Sequence, residues 1–203
     1  VREKRNTPHS RRHPRLANMR RAVDATRMGD ATFSKMDKVS SELFSLTYGA
    51  MVTQLLRDYE EVDATNVQLE KMGYNIGTRL VDEFLAKAQI AACSSFAETA
   101  EIIAKVGFKM FLGINVEVVP ASSSEFSLTL NENPLAEFVE LPDQYSKLEY
   151  SGLLCGVLRG ALEMVQMRVE CSLKRDVLWG DDVTEIKVVL KEILEEEYHD
   201  DDD

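Results

Sequence analysis

The chain has 203 residues, 44% of them hydrophobic, and a formal net charge of −11. That length suits one domain with tails, and that apolar content is enough for a real core. The charge is uneven: residues 1–35 carry ten Lys/Arg against three Asp/Glu, residues 36–203 carry 14 against 32, and a body at −18 excludes nucleic-acid binding through its own surface.

Residues 1–35 are Arg-rich, contain Pro8 and Pro14, and show little hydrophobic periodicity. They read as a disordered basic extension. An Arg-rich, acid-poor leader also fits a transit peptide. The preferred reading makes Met36 the native start and the leader a non-native addition. The domain then spans 36–194, and 195–203 is a solvated acidic tail.

Folded sequence begins near Ser40, where Ser40 or Ser41 caps a helix and Glu42 suits its positive end. Phe44, Tyr48, Met51, Leu55 and Tyr59 form an apolar stripe flanked by Leu43, Leu46 and Ala50. This predicts a helix buried on a wide face or on two sides. A second helix runs over about 65–88, with Leu69, Met72, Ile76, Leu80 and Phe84 as its stripe. Its Gly73 and Gly77 lie one helical turn apart, the mark of a second backbone passing close. The third helix starts at a capping box, Ser95-Phe96-Ala97-Glu98. Ala100, Ile103, Gly107, Met110, Phe111 and Ile114 form its apolar face.

The period then changes. Val116–Val119 and Phe126–Leu130 predict a hairpin, and Asn131-Glu132-Asn133-Pro134 a turn. Tyr150–Met167 carries Gly152, Gly156 and Gly160 every fourth residue. It is nearly long enough to span a bilayer, but Arg159 and Glu163 sit in its middle and favour a buried helix. Met167, Val169, Cys171 and Leu173 alternate with polar residues, as do Ile186, Val188 and Leu190, which predicts two more strands. The fold class is therefore α+β, with helices packed on one face of a small twisted antiparallel sheet.

Little in this pattern is catalytic. His9, His13 and His199 all lie in the terminal segments, which leaves no histidine-centred site. Cys93, Cys155 and Cys171 form no metal spacing, and their odd number, with no signal-peptide pattern, points to a reducing cytosolic setting. Cys93 stands two residues before the Ser95 cap, where a helix N-terminus favours a thiolate. It is either a reactive cysteine or an ordinary loop cysteine. The residues alone describe a binding or assembly domain without a visible active site.

Four stretches go further: SELFSLTYGA (Ser41–Ala50), KMGYNIG (Lys71–Gly77), NPLAEFVELP (Asn133–Pro142) and LCGVLRGALEMVQ (Leu154–Gln166). Together they resemble the Bet-three subunits of the transport protein particle (TRAPP) vesicle-tethering complex, in order and spacing, from about residue 40 to 194. The resemblance implies a small non-enzymatic α+β subunit acting between endoplasmic reticulum and Golgi, cytoplasmic and peripheral at those membranes. It implies homo- or heterodimers, other TRAPP subunits, a Rab-type GTPase and a vesicle coat as partners. The helix that begins near Ser40 and the one over about 65–88 are read here as the dimer face. It also implies a palmitoyl-type fatty acyl thioester on Cys93 and no metal. The acyl chain would lie in an apolar tunnel with Gly107 at its mouth and Ile103, Met110 and Phe111 along it. The alternative is a lipid-binding module whose tunnel is itself the function. A third reading, an acyl-transferring enzyme, lacks a base near Cys93.

Overall fold

A computed structural model describes residues 14–90 and 93–194, with side chains from residue 24 onward. Among the described residues, six α-helices and four strands follow one another in the order α1 (Pro14–Phe33), α2 (Ser41–Tyr59), α3 (Val62–Ala88), α4 (Phe96–Ile102), α5 (Phe108–Leu112), β1 (Val116–Pro120), β2 (Glu125–Leu130), α6 (Gly152–Met164), β3 (Met167–Arg175) and β4 (Thr184–Ile193). A π-helical segment, Ile103–Gly107, joins α4 to α5 without a break. The sheet is antiparallel throughout, in the order β1-β2-β4-β3. Its inner face, with Val116, Phe126, Leu128, Leu130, Val169, Leu173, Ile186 and Val188, is buried under the helices. The α+β class and the hairpin follow the expected alternation.

The expectation for residues 1–35 needs correcting where the structure describes them. Pro14–Phe33 is helical, and Ala25 and Thr32 are buried against the rest of the chain. Alanine, methionine and a glycine backbone contact do the packing here, so no strong apolar period marked it. Residues 1–13 and the acidic tail 195–203 lie outside the described residues.

The glycine stripes have the expected consequence. A Cβ on Gly156 would overlap the Glu70 carbonyl oxygen, and one on Gly160 the Tyr74 carbonyl oxygen. From the other side, Gly73 meets the Leu153 carbonyl and Gly77 that of Val157. Helices α3 and α6 therefore touch backbone to backbone. Gly152 does not share this contact; its nearest neighbour is the Glu149 side chain. The two charges of α6 find partners on α3: Arg159 Nε lies 3.1 Å from Glu70 Oε1, its guanidinium 4.9 Å from the Tyr74 ring centre, and Glu163 accepts from the Tyr74 hydroxyl. At 13 residues α6 is about 20 Å long, too short to cross a bilayer. No helix among the described residues is long and apolar enough to cross a membrane.

Two stripes are rotated from the expected positions. On α3 the buried line is Leu69, Gly73, Gly77 and Val81, while Ile76 is 43% exposed. The small residues, not the large ones, face the partner helix, because only they permit its approach. On α2 the buried line is Ser45, Tyr48 and Val52. Its opposite side shows Leu43 and Leu46, 66% and 62% exposed, with Ala50 following. Within one chain α2 is therefore buried on one side, not two.

The turn before α6 is held by polar contacts. Asn133 donates from Nδ2 to Ser151 Oγ (2.9 Å) and Thr184 Oγ1 (3.1 Å), and its Oδ1 accepts from the Leu135 amide. Ser45 donates to the Pro134 carbonyl and Tyr48 to that of Tyr150. These bonds fasten α2 to the long β2–α6 connection at buried positions, where unpaired polar atoms are costly.

Candidate acylation site

Helix α3 ends with Gln89 in the left-handed conformation (φ 51°), which turns the chain towards Cys93. Cys93 is half-buried. Ser95 caps α4 as expected, its hydroxyl oxygen accepting from the Glu98 amide at 3.2 Å. Glu98 reaches back one residue further than a capping box requires: its Oε2 accepts from the Ser94 amide (2.7 Å) and from the Ser94 hydroxyl. The loop carrying Cys93 is thereby tied to the first turn of α4.

The expected activation of the thiol is overturned. Burial pushes the Cys93 thiol above its ordinary value, the Glu98 carboxylate adds to this, and the Thr99 hydroxyl only partly offsets it. Desolvation of the half-buried thiol is the main cause, with the Glu98 charge a lesser one. Since the thiolate is the reactive form and the protonated form persists to higher pH, alkylation of Cys93 by iodoacetamide at pH 8 is expected to run slower than that of a free cysteine. Its rate should rise with a midpoint displaced upward; a midpoint at or below that of a model thiol in a pH–rate series would contradict this. Cys155 and Cys171 are pushed up too, Cys171 to about 12, chiefly by burial.

The other expected site residues share one continuous helix. Ile103 and Gly107 are the two ends of the π-helical segment, and Met110 and Phe111 follow within one turn. Met110 is buried, while Ile103, Gly107 and Phe111 are half-buried. Gly107 lies twelve residues beyond Ser95, about 18 Å along the helix. It therefore stands about three turns along the helix from the Ser95 cap. The wide π turn was not visible in the sequence; such turns gather at functional sites.

Two neighbours were also missed as site residues. Thr99, whose hydroxyl donates to the Ser95 carbonyl at 3.2 Å, partly offsets the rise in the Cys93 thiol pKa. Phe84, from the last turns of α3, presents its ring edge 3.9 Å from where a Gly107 Cβ would sit. Phe84 was legible only as part of an apolar stripe, since its partner lies 23 residues away in sequence. Among the described residues, no group of three or more His, Cys, Asp or Glu is placed to hold a metal ion.

Comparison with known proteins bears on this geometry. Residues 44–189 match the family model described as "Transport protein particle (TRAPP) component". A Dictyostelium discoideum protein named Trafficking protein particle complex subunit 3 is 60% identical over 171 residues, 83% of this chain and 92% of that protein. A Schizosaccharomyces pombe relative, Transport protein particle subunit bet3, is 53% identical over 180 residues, 86% of this chain and 97% of its own length. That share is larger than residues 36–203 can supply, so the match continues upstream of Met36. A solved structure, a trafficking protein particle complex subunit 3 from Naegleria fowleri covalently bound to palmitic acid, is 56% identical with a TM-score of 0.75, covering 79% of this chain and all of that one. The chain belongs to the transport protein particle (TRAPP) component family.

Proposed function

We propose that this chain is a non-catalytic core subunit of a vesicle-tethering complex acting between endoplasmic reticulum and Golgi. In this reading it works as a scaffold, peripheral at those membranes, supporting nucleotide exchange on a Rab-type GTPase and meeting coated vesicles. Beyond the family itself, the observation that carries the reading is the bare side of α2. Leu43 and Leu46 recur there at helical spacing, Phe44 is 39% exposed beside them, and Val67 on α3 is 66% exposed. Exposed large apolar groups such as Leu43 and Leu46, one helical turn apart on the same side of α2, mark a surface for another protein. The fitting occupant is a second TRAPP subunit, in a homo- or heterodimer.

Replacing Leu43 and Leu46 together by Glu is expected to leave the fold intact, because neither side chain enters the core. Affinity capture from cells should recover named TRAPP subunits with the wild-type chain and lose at least 90% of them with the double variant. Equal recovery by both would remove α2 as the docking face; no TRAPP subunit with either would remove the scaffold reading.

The second reading, a lipid-binding role, draws on the palmitic acid bound covalently in the Naegleria relative. Transferred to this chain, the acyl thioester falls on Cys93, with Ile103, Gly107, Met110 and Phe111 along the apolar path. The raised thiol pKa suits a neutral thioester in this half-buried place.

A further inference from the structure

The described half of α1 lies along the helix that holds the candidate tunnel wall. Ala25, Met28 and Thr32 turn inward at helical spacing. They meet a small apolar cluster of Ala88, Val106, Phe84, Ile90 and Ile102. This cluster is separate from the main core. Gly29 lies so close to the π-helical segment that a Cβ would overlap the Lys105 carbonyl oxygen. Further along, the Phe33 ring packs beside Gly113. Asp30 Oδ1 stands 3.8 Å from Lys109 Nζ, and the Phe33 ring lies 4.4 Å from Lys38 Nζ and 5.4 Å from Lys109 Nζ. An exposed carboxylate at that distance contributes little.

Phe84 joins these observations. Phe84 packs against the cluster that Ala25 and Met28 of α1 help to form, and its ring edge lies 3.9 Å from where a Gly107 Cβ would sit. Apolar carbons in contact stand about 3.5–4 Å apart. A methylene chain passing between Gly107 and Phe84 needs that separation on both sides, so Phe84 must swing outward by several ångströms. The cluster it would press on as it moves is the one that α1 completes with Ala25 and Met28.

We infer that α1 is a displaceable strap that competes with a long acyl chain on Cys93, with the Phe84 ring as the element both press upon. The inference rests on the acylation reading above. Strap docking and acyl burial are thermodynamically linked, so each weakens the other by the same factor. Because its cluster is separate, α1 can leave without opening the main core.

The test uses the full chain. Gly29→Leu places side-chain atoms against the Lys105 carbonyl and undocks the strap. Incubated with palmitoyl-coenzyme A, the Cys93 thiolate attacks the acyl carbonyl, coenzyme A leaves as its thiol, and intact mass follows the thioester. Gly29→Leu is expected to load about tenfold faster than wild type. Reciprocally, acylated wild type should be cut by trypsin at the exposed Arg27 about tenfold faster than Cys93→Ser. In Phe84→Ala, acylation should no longer change cleavage at Arg27, and this variant serves if Gly29→Leu does not fold. Acyl mass on both proteins at one rate, with Arg27 cleaved equally with and without acyl, overturns the strap alone. No acyl mass on either overturns the acylation reading and the strap with it.

Discussion

Gly156→Leu is expected to yield no folded protein. The Gly156 Cβ position overlaps the Glu70 carbonyl oxygen and lies 2.8 Å from the Tyr74 nitrogen and 2.9 Å from the Glu70 carbonyl carbon. All three are backbone atoms, which cannot turn aside as a flexible side chain would. Helices α3 and α6 would have to separate along the whole seam, opening the contacts at Gly73, Gly77 and Gly160 together. Interior overpacking costs about 1–3 kcal/mol where side chains can yield, and here the yielding part is two helices. The loss should approach the ~5–15 kcal/mol that holds a domain together. Even Gly156→Ala should cost several kcal/mol, against a helix-propensity gain of about 1 kcal/mol. Gly49→Ala is the control: its Cβ would meet only the Tyr150 hydroxyl at 3.4 Å, so propensity should leave it neutral or slightly stabilised. Thermal melts of the three variants decide the matter. A Gly156→Ala melt within 2 °C of wild type would show that the α3–α6 seam is not closed as described.

The second large effect concerns the acyl chain. Protein purified from its own cells is expected to carry one fatty acyl mass, released by hydroxylamine, and Cys93→Ser should lack it. Gly107→Leu should lack it too while keeping the main core, because the new side chain takes the place beside the Phe84 ring that the acyl chain would need. A buried chain contributes roughly 0.8 kcal/mol per CH₂, so a palmitoyl group adds on the order of 10 kcal/mol at most. Each kcal/mol moves the melting point by about 2–4 °C at this size. Cys93→Ser should therefore melt at least about 10 °C below acylated wild type. Equal melting of acylated and unacylated protein would mean that the chain lies in solvent, and an unmodified wild-type mass would return Cys93 to an ordinary loop cysteine.

Much of the fold was legible because its signals are local or periodic. Ser95 and Glu98 mark a helix start through bonds spanning three or four residues, and the alternations at Val169–Leu173 and Ile186–Leu190 mark half-buried strands. Glycine every fourth residue on α3 and α6 stated that two backbones meet, since nothing else repays its cost in a helix interior. The site was legible in part. Cys93 came from its place before a cap, and Gly107 from family resemblance. Neither route could show that burial raises the thiol pKa, because that depends on what the rest of the fold packs around Cys93.

By itself, then, the sequence determined the elements from α2 onward, the caps at Ser40 and Ser95, the α+β class and the close approach of a second backbone to each glycine stripe. All are encoded in residue types within a turn or a few alternations of one another. Only the tertiary structure decided that α1 folds back on the π-helical segment, that the bare side of α2 faces outward, and that Phe84 sits against Gly107. These rest on contacts between residues far apart in sequence, and a glycine or alanine leaves little periodic trace of the surface that comes to lie on it.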